Sequence, residues 1–314
     1  MTTTIRLKHN HTTPTLTAYT LTLINHKQLT GHPRTAETYQ ATLKSFSRFL
    51  EHHHQGRRAD IHLHLIDSNL LESYQAWQLS CGNTYNTVSF YNRILRAIYN
   101  HAIDHDIIPP ANPFRHVYTG IDKTIKRAVP LPVIRQIKHL DLTDSPSVDH
   151  ARDIFMLSFM LRGMSLIDMA YLLKTDRHNG YITYRRHKTG QTLTVQWIPQ
   201  MQAILNKYPH NPASPYLLPI LTQFDTDRRQ AYHNACSRIN YNLKKIAHRL
   251  NLSQPLTMYV ARHSWATAAQ AKGIPISIIS QGLGHDSETT TRIYLANLET
   301  AAIDKANTLI LKSL

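Results

Sequence analysis

The sequence predicts a mainly α-helical protein of two domains, with one small antiparallel β-hairpin in the second domain. Residues 15 to about 108 carry apolar residues at helical spacing, with short breaks. Residues 181–198 contain two alternating segments around a turn. The stretch 109–130 holds four Pro and one Gly and has no clear period, which is typical of a connection between domains. We expect an N-terminal tail at 1–14, a helical domain at 15–118, a linker at 119–130 and a second domain at 131–314.

Four helices account for the first domain. They are predicted at Leu16–Leu29, 35–52, 67–79 and 86–107. Asp67 is a suitable N-cap for the third helix, and Pro109 stops the fourth. The apolar face of the second helix is formed by Tyr39, Leu43, Phe46 and Leu50. Helices with such faces pack as a small bundle.

The second domain combines helices with the hairpin. A nearly all-apolar segment at 149–161 predicts a buried helix. Strands at 181–184 and 192–198 are joined around Lys188, Thr189 and Gly190. Further helices are predicted at about 198–207, 227–250, 257–271, 275–281 and 298–313. Together these elements make an α+β domain.

The charge of the chain indicates a polyanionic partner. Lys and Arg number 35 against 20 Asp and Glu, a formal net charge of +15 in 314 residues. Soluble chains this basic usually bind nucleic acid or an anionic membrane surface. No stretch approaches the ~20 apolar residues of a membrane span. The N-terminus also lacks the apolar core of a signal peptide. The sequence therefore favours nucleic acid and not a membrane as the partner.

Positive charge occurs in both domains and in the linker. The formal net charge is +4 for residues 1–120, +2 for 121–130 and +9 for 131–314. A protein that holds double-stranded DNA between two domains needs this distribution. Lys123, Lys126 and Arg127 in the linker are placed to contact the phosphate backbone.

Neither disulfides nor a metal site is indicated. Cys81 and Cys236 are far apart in the sequence, which argues against a disulfide framework and fits a reducing cytoplasm. The segment EHHHQGRRADIHLH contains five His, which raises the alternative of a zinc site. With no Cys nearby, it is better interpreted as a solvated basic loop near DNA.

Cleaving a phosphodiester without a metal ion requires three kinds of side chain. A nucleophile attacks phosphorus, cations hold the non-bridging oxygens, and an acid protonates the leaving 5′ oxygen. Arg suits the second task, because its planar guanidinium binds two oxygens and stays charged. Arg162 directly follows the predicted buried helix, where a charge is costly unless it is paired or binds an anion. The alternative is a structural pair with Asp168.

The segment LTMYVARHSWATAAQAKG offers a second arginine. Thr257 is a suitable N-cap, and Tyr259 and Arg262 are three residues apart on one helix face. The alternative is that Tyr259 belongs to the core and Arg262 to the surface.

Three further candidates follow from the hairpin and from QGLGHDSETTTRIYL. Lys188 at the hairpin tip could act as the acid, although such tips are usually just solvated turns. Glycines permit a tight turn that ends in His285, and Asp286 or Ser287 can cap the short helix that follows. Tyr294 comes nine residues after His285.

In the order Arg162, Lys188, Arg262, His285 and Tyr294, these residues resemble the active-site series of the tyrosine recombinase (phage integrase) family. ARHSWATAAQAKGIPISIISQGLGHDSETTTRIYL resembles the family's Arg-His-Ser/Thr, Leu-Gly-His and Thr-Thr-x-x-Tyr stretch. LRGMSLIDMAYL resembles its first-arginine segment, and HKTGQ its hairpin lysine. The resemblance covers about 131–300 strongly. The helices before it resemble the family's core-binding (SAM-like) domain in architecture alone.

The resemblance implies site-specific DNA recombination. Tyr294 attacks the scissile phosphate and forms a 3′-phosphotyrosyl bond, while Arg162 and Arg262 hold the phosphate. Lys188 protonates the 5′-hydroxyl leaving group, and His285 hydrogen-bonds the phosphate or helps to move protons. The phosphotyrosyl bond conserves energy, so neither a cofactor nor a metal is implied. The implied partners are double-stranded DNA with specific core sites and further copies of the chain, four in the synapse.

Two positions depart from the family's pattern. Most members have His three residues before the second Arg, where this chain has Tyr259. A phenol with an ordinary pKa near ~10 is a poor base at neutral pH, but it can donate a hydrogen bond to phosphate. The acidic residue common three positions after the first Arg is replaced by Ser165, so Asp168 is expected to take over its orienting role.

Other functions stay open. A type IB topoisomerase uses similar chemistry but relaxes DNA as a monomer, and a DNA-binding module that has lost catalysis is a further class. About 14 residues precede the first predicted helix, too few for an extra DNA-binding domain. This favours a recombinase that needs core sites alone, such as an invertase, a resolvase or a compact integrase. The helix predicted at 298–313 is expected to dock on a neighbouring protomer.

Overall fold

The structure is a computed structural model that describes residues 13–57, 59–122, 127–209, 211–221 and 227–295, apart from the side chains of residues 293 and 294. The chain divides into two compact units, Met1–Thr124 and Ile125–Leu314. The predicted fold class is confirmed, since the described residues are mainly helical and contain one small sheet. No helix among them is both long and apolar enough to cross a membrane.

The first unit is built from four helices. They are α1 (Leu16–Leu29), α2 (Pro33–His53), α3 (Ser68–Ser80) and α4 (Tyr85–Asp104). Asp67 caps α3 as expected, with its Oδ1 accepting from Leu70 N at 2.8 Å. Tyr74 and Phe46 pack edge to face in the core, with ring centroids 4.9 Å apart. Phe46, from the apolar face predicted for α2, therefore packs on α3.

The first part of the Pro-rich stretch belongs to this unit and is not a free connection. Phe114 is buried in the core of the helical unit. Ser89 Oγ donates to Gly120 O at 2.5 Å, and Asp122 N donates to Asn86 Oδ1 at 2.9 Å. Within the expected linker at 119–130, Gly120 and Asp122 are thus bonded to α4. Pro and Gly break the helical period, but they do not reveal whether a chain packs on its neighbours.

The second unit is arranged around α6 (Pro146–Met160), which is buried along most of its length. Its other helices are α5 (Leu131–His139), α7 (Leu166–Ala170), α8 (Pro199–Leu205), α9 (Arg228–Arg249), α10 (Met258–Ala271), α11 (Ile276–Leu283) and α12 (Glu288–Tyr294). Helices α5, α8, α9 and α10 pack on α6. The helix predicted at 298–313 lies outside the described residues.

A three-stranded antiparallel sheet completes this unit, in the order β1 (Arg177–His178), β2 (Tyr181–Arg185), β3 (Thr192–Gln196). In β2, Ile182 and Tyr184 point inward, while the residues between them are exposed. Arg185 pairs with Thr192 at the end of the ladder. The turn that follows β2 carries Lys188.

Candidate active site

Arg162 lies in a sharp turn at the end of α6. Arg162 and Gly163 both have left-handed backbone angles, with φ of 59° and 72°. This conformation is uncommon for a residue with a side chain, and it occurs at constrained sites. A Cβ atom on Gly163 would lie 2.7 Å from the Arg262 Cα. The two predicted arginines are therefore neighbours because Gly163 has no side chain to separate α6 from α10.

Arg262 is buried, with 5% of its surface exposed. Its guanidinium donates to Gly163 O at 2.8 Å, to Leu283 O at 2.6 Å and to His285 Nε2 at 3.0 Å. These bonds fix the cation where α6, α10 and α11 meet. The alternative of a surface Arg262 and a core Tyr259 is wrong, since Tyr259 is 52% exposed.

His285 follows α11 and is held at both ring nitrogens. Arg262 donates to Nε2, so the ring proton lies on Nδ1, which donates to Thr291 Oγ1 at 2.8 Å. Burial, together with the positive charges of Arg262, Arg186 and Lys188, lowers the pKa of His285 to about 4. His285 is therefore neutral at neutral pH, with Nδ1 donating to Thr291 and the Nε2 lone pair accepting from Arg262.

Lys188 is exposed in the turn between β2 and β3. Arg186 N donates to Gln191 O at 2.9 Å, a backbone hydrogen bond that closes this turn. The hairpin packs on the chain just before His285, because a Cβ on Gly284 would lie 2.8 Å from the Arg186 Cδ. The charge of Lys188 is close enough to contribute to the low pKa of His285. The structure thus brings the turn that carries Lys188 to His285.

Asp168 contacts the hairpin and not Arg162. Its Oδ1 accepts from His187 N at 2.8 Å, and its Oδ2 accepts from Ser165 Oγ at 2.6 Å. The same Oδ2 lies 3.9 Å from Arg186 Nε. The structural pair considered for Arg162 is therefore wrong, and the orienting role expected of Asp168 acts on the hairpin.

Tyr259 lies in the first turn of α10, where its ring packs edge-on against His263 with centroids 4.7 Å apart. With Arg262, Ser165 and Lys244, it lines a cleft of about 460 Å³. Tyr259 and Arg262 thus face one cleft, as their spacing predicts. Lys244 of α9 adds a cation that the sequence did not single out.

Tyr294 is the last residue of α12, and its side chain lies outside the described residues. Ser287 caps this helix by accepting from Thr290 N at 3.4 Å. Thr291, on the same helix, is buried and bound to His285. The helix that ends in the candidate nucleophile is therefore fixed to His285 through its own residue Thr291.

The three cations expected to contact DNA from the linker are the remaining candidates. Lys123 and Lys126 lie outside the described residues, and Arg127 is exposed. Within the described part of the chain, no group of three His, Cys, Asp or Glu is placed to hold a metal ion.

Arg186 was missed in the sequence, although a signal for it exists. Ile182 and Tyr184 point inward from β2, so the next position on that face is Arg186. Arg186 is accordingly 6% exposed. Strand alternation, continued for one residue past the strand, would have identified it as a buried cation beside Lys188.

Two family models match this chain. Residues 15–119 match the phage integrase SAM-like domain, and residues 154–300 match the phage integrase family. The second match includes every candidate catalytic residue from Arg162 to Tyr294.

Curated proteins and solved structures are similar to this chain over most of its length. Tyrosine recombinase XerD of Listeria monocytogenes serovar 1/2a is 25% identical over 284 residues, which are 81% of this chain and 86% of that protein. A lambda integrase tetramer bound to a Holliday junction has a TM-score of 0.68 at 16% identity, covering 91% of this chain and 78% of that one. The Tn1549 transposon integrase, in complex with transposon right end DNA, has a TM-score of 0.65 at 14% identity, covering 93% and 98%. The solved structures share the fold of this chain.

Proposed function

Because this chain belongs to the tyrosine recombinase (phage integrase) family, we propose that it catalyses site-specific DNA recombination, the breaking and rejoining of strands at defined sites. One observation carries the proposal. Arg262, His285 and the turn that carries Lys188 meet beside the end of α6, where Arg162 lies. Gathering cations from distant parts of a sequence is unfavourable unless an anion binds among them. The scissile phosphate is that anion.

The reaction transfers one phosphodiester linkage. The phenol oxygen of Tyr294 attacks the scissile phosphorus and gives its proton to water, while the bond from phosphorus to the 5′ oxygen breaks. Lys188 supplies a proton to that 5′ oxygen. The 3′-phosphotyrosyl bond keeps the energy of the broken linkage. Attack by a 5′-hydroxyl of another strand therefore rejoins the DNA and restores the phenol.

The arginines supply the charge that the transition state needs. Arg162 and Arg262 hold the non-bridging oxygens, and the carbonyls of Gly163 and Leu283 already fix the Arg262 guanidinium. His285 enters the reaction neutral and orients the Arg262 guanidinium by accepting from it at Nε2. Tyr259, on the same cleft, donates a hydrogen bond to the phosphate.

The substrate we propose is double-stranded DNA with specific core sites, bound by four copies of this chain when two sites are paired. The net charge of +15 supports a polyanionic partner. A structurally similar lambda integrase is a tetramer on a Holliday junction. Since DNA is the substrate and the two cysteines are far apart in the sequence, we place the protein in a reducing cytoplasm.

The test is to trap the covalent intermediate. The protein is incubated with genomic DNA in excess EDTA and denatured, and the DNA that stays attached to it is sequenced. Wild type should yield adducts at a recurrent site. Tyr294→Phe lacks the attacking oxygen, so it should bind DNA and yield no adducts. Tyr181→Phe, which alters an exposed tyrosine of β2, is the matched control. Adducts from Tyr294→Phe, or a requirement for a divalent ion, would contradict the proposal.

A further inference from the structure

Arg186 is a buried cation that the proposed chemistry does not use. It is 6% exposed and follows β2 on the inward face. Its NH1 donates to Gly284 O, while its Nε has no hydrogen-bond partner among the described residues and lies 3.9 Å from Asp168 Oδ2. Burying a guanidinium that is incompletely bonded costs free energy, so packing alone does not explain the residue.

Arg186 connects the two segments that carry Lys188 and His285. It precedes Lys188 by two residues, and the carbonyl that it binds belongs to Gly284, the neighbour of His285. Its aliphatic stem touches the same place, since a Cβ on Gly284 would lie 2.8 Å from the Arg186 Cδ. The hairpin and the His285 turn are therefore joined by a polar bond and by direct packing.

Asp168 fixes the residue between Arg186 and Lys188. His187 N donates to Asp168 Oδ1 at 2.8 Å, and Ser165 holds the other carboxylate oxygen. The two residues that lead into Lys188 are thus anchored to different parts of the fold, the first at Gly284 and the second at α7. Lys188 itself is exposed. Without the anchors, it would be a long side chain on a short surface turn.

We propose that Arg186 is a positioning residue that couples the hairpin to the His285 turn, so that Lys188 is held beside the leaving 5′ oxygen. This rests on the function proposed above. Proton transfer needs donor and acceptor within about 3 Å. A displacement of about 1 Å by a residue outside the chemistry can slow a reaction roughly 100-fold.

The test compares two leaving groups on one nicked duplex, built on the site recovered from wild-type adducts. One substrate has the ordinary 5′ oxygen at the scissile phosphate, and the other has sulfur in its place. A thiolate leaves without a proton, so the sulfur substrate does not need Lys188. Arg186→Met should slow single-turnover cleavage of the oxygen substrate roughly 10- to 100-fold. It should cleave the sulfur substrate at close to the wild-type rate, as should Lys188→Ala.

Two variants complete the design. Arg186→Lys keeps a charge and a donor, so its rate on the oxygen substrate should fall between those of wild type and Arg186→Met. Arg177→Met is the control, because Arg177 is a cation of the same sheet whose side chain binds Gln202 and stacks over Trp197. This variant should cleave both substrates at the wild-type rate.

The outcomes separate this inference from the proposed function. If Arg186→Met slows cleavage of both substrates equally, Arg186 contributes to phosphate binding or to folding and not to proton transfer. If Arg186→Met cleaves the oxygen substrate at the wild-type rate, the position of the hairpin does not depend on Arg186. Either result overturns the inference. If Arg186→Met fails to fold, Arg186→Lys on the same two substrates decides. A wild-type protein that forms no adducts would instead contradict the function.

Discussion

Arg262 and Tyr259, one turn apart in α10, differ in how firmly their side chains are held. Arg262 is almost fully buried and held by carbonyl acceptors, so it presents a fixed charge. Tyr259 is half exposed on the same cleft, so it presents a neutral donor that can adjust to a ligand. A phosphate in the cleft would meet both groups. We propose that the phenol of Tyr259 does in this chain what an imidazole does in most members of the family.

Replacing Tyr259 tests whether its hydroxyl contributes to cleavage. Tyr259→Phe should slow single-turnover cleavage of a nicked substrate roughly 10- to 150-fold, because a hydrogen bond to a charged group is worth about 1.5–3 kcal/mol. Tyr259→His should restore much of the rate, since imidazole can donate from a similar place. Tyr241→Phe, an exposed tyrosine of α9, is the control. A silent Phe variant with a harmful His variant would show that the ring merely packs on His263.

The low pKa of His285 makes the stability of the folded protein depend on pH. Its folded pKa of about 4 is below the ordinary value of 6.5, so the folded state binds fewer protons than the unfolded state between these values. The stability that this group contributes is complete above pH 6.5 and is lost as the pH falls toward 4. The free energy of unfolding, measured in urea at neutral pH and at about pH 5, should fall more for wild type than for His285→Gln. Equal falls would contradict the low pKa.

At the level of elements, the start of α10 is secured from another helix. Thr257 occupies the N-cap position, but its hydroxyl makes no capping bond. Instead, Met258 N donates to Asn240 Oδ1 of α9 at 2.9 Å. Asn240 also contacts Cys236 one turn earlier, which orients its amide. The helix that carries Tyr259 and Arg262 therefore begins where α9 supplies an acceptor.

This arrangement predicts an unequal pair of variants. Asn240→Ala should lower the free energy of unfolding by about 1 kcal/mol, the usual cost of losing a helix cap. Thr257→Ala, one residue before α10, should change it by less than about 0.5 kcal/mol. Urea denaturation of both variants measures the difference. A larger loss for Thr257→Ala would mean that the local cap holds the helix after all.

Which elements the sequence could predict depends on how local their causes are. The bounds of α1 were predicted from its own residues, and Ser287 was one of two expected caps for α12. Helix α4 ends at Asp104, earlier than predicted, because Asp106 turns left-handed and Ile107 N bonds back to Ala102 O. Helix α7 and strand β1 were missed, since five and two residues are too short to show a period.

The candidate site also has features that follow from local sequence and features that depend on tertiary contacts. The order of Arg162, Lys188, Arg262, His285 and Tyr294 follows from motifs that are read along the chain. The burial of Arg262 does not, because it depends on the approach of Gly163, a residue distant in sequence. The contacts of Asp168 with the hairpin are likewise tertiary, so the sequence could suggest an orienting carboxylate but not the group that it orients.

At the level of the whole molecule, each unit has a hydrophobic core of its own. Phe46, Tyr74 and their neighbours fill the first, and α6 lies in the middle of the second. The hydrogen bonds of Gly120 and Asp122 belong to the first unit, while Val129 N donates to Ser264 Oγ of the second. A hydrophobic core of its own is what a unit that folds alone requires.

Separate units should therefore fold but bind DNA weakly. Fragments 1–124 and 125–314 each carry net positive charge, so both should bind DNA. The full chain should bind more tightly than either, because the connection makes the second contact intramolecular. Its affinity should also fall most steeply with salt, by roughly 10³–10⁵ between 50 and 200 mM if about 6–10 phosphates are contacted. Binding assays across this salt range, with an equimolar mixture of the fragments as control, measure both effects. The mixture should bind more weakly than the intact chain because it lacks the covalent connection. A single fragment with the affinity and salt dependence of the full chain would instead show that one unit accounts for all of the DNA binding.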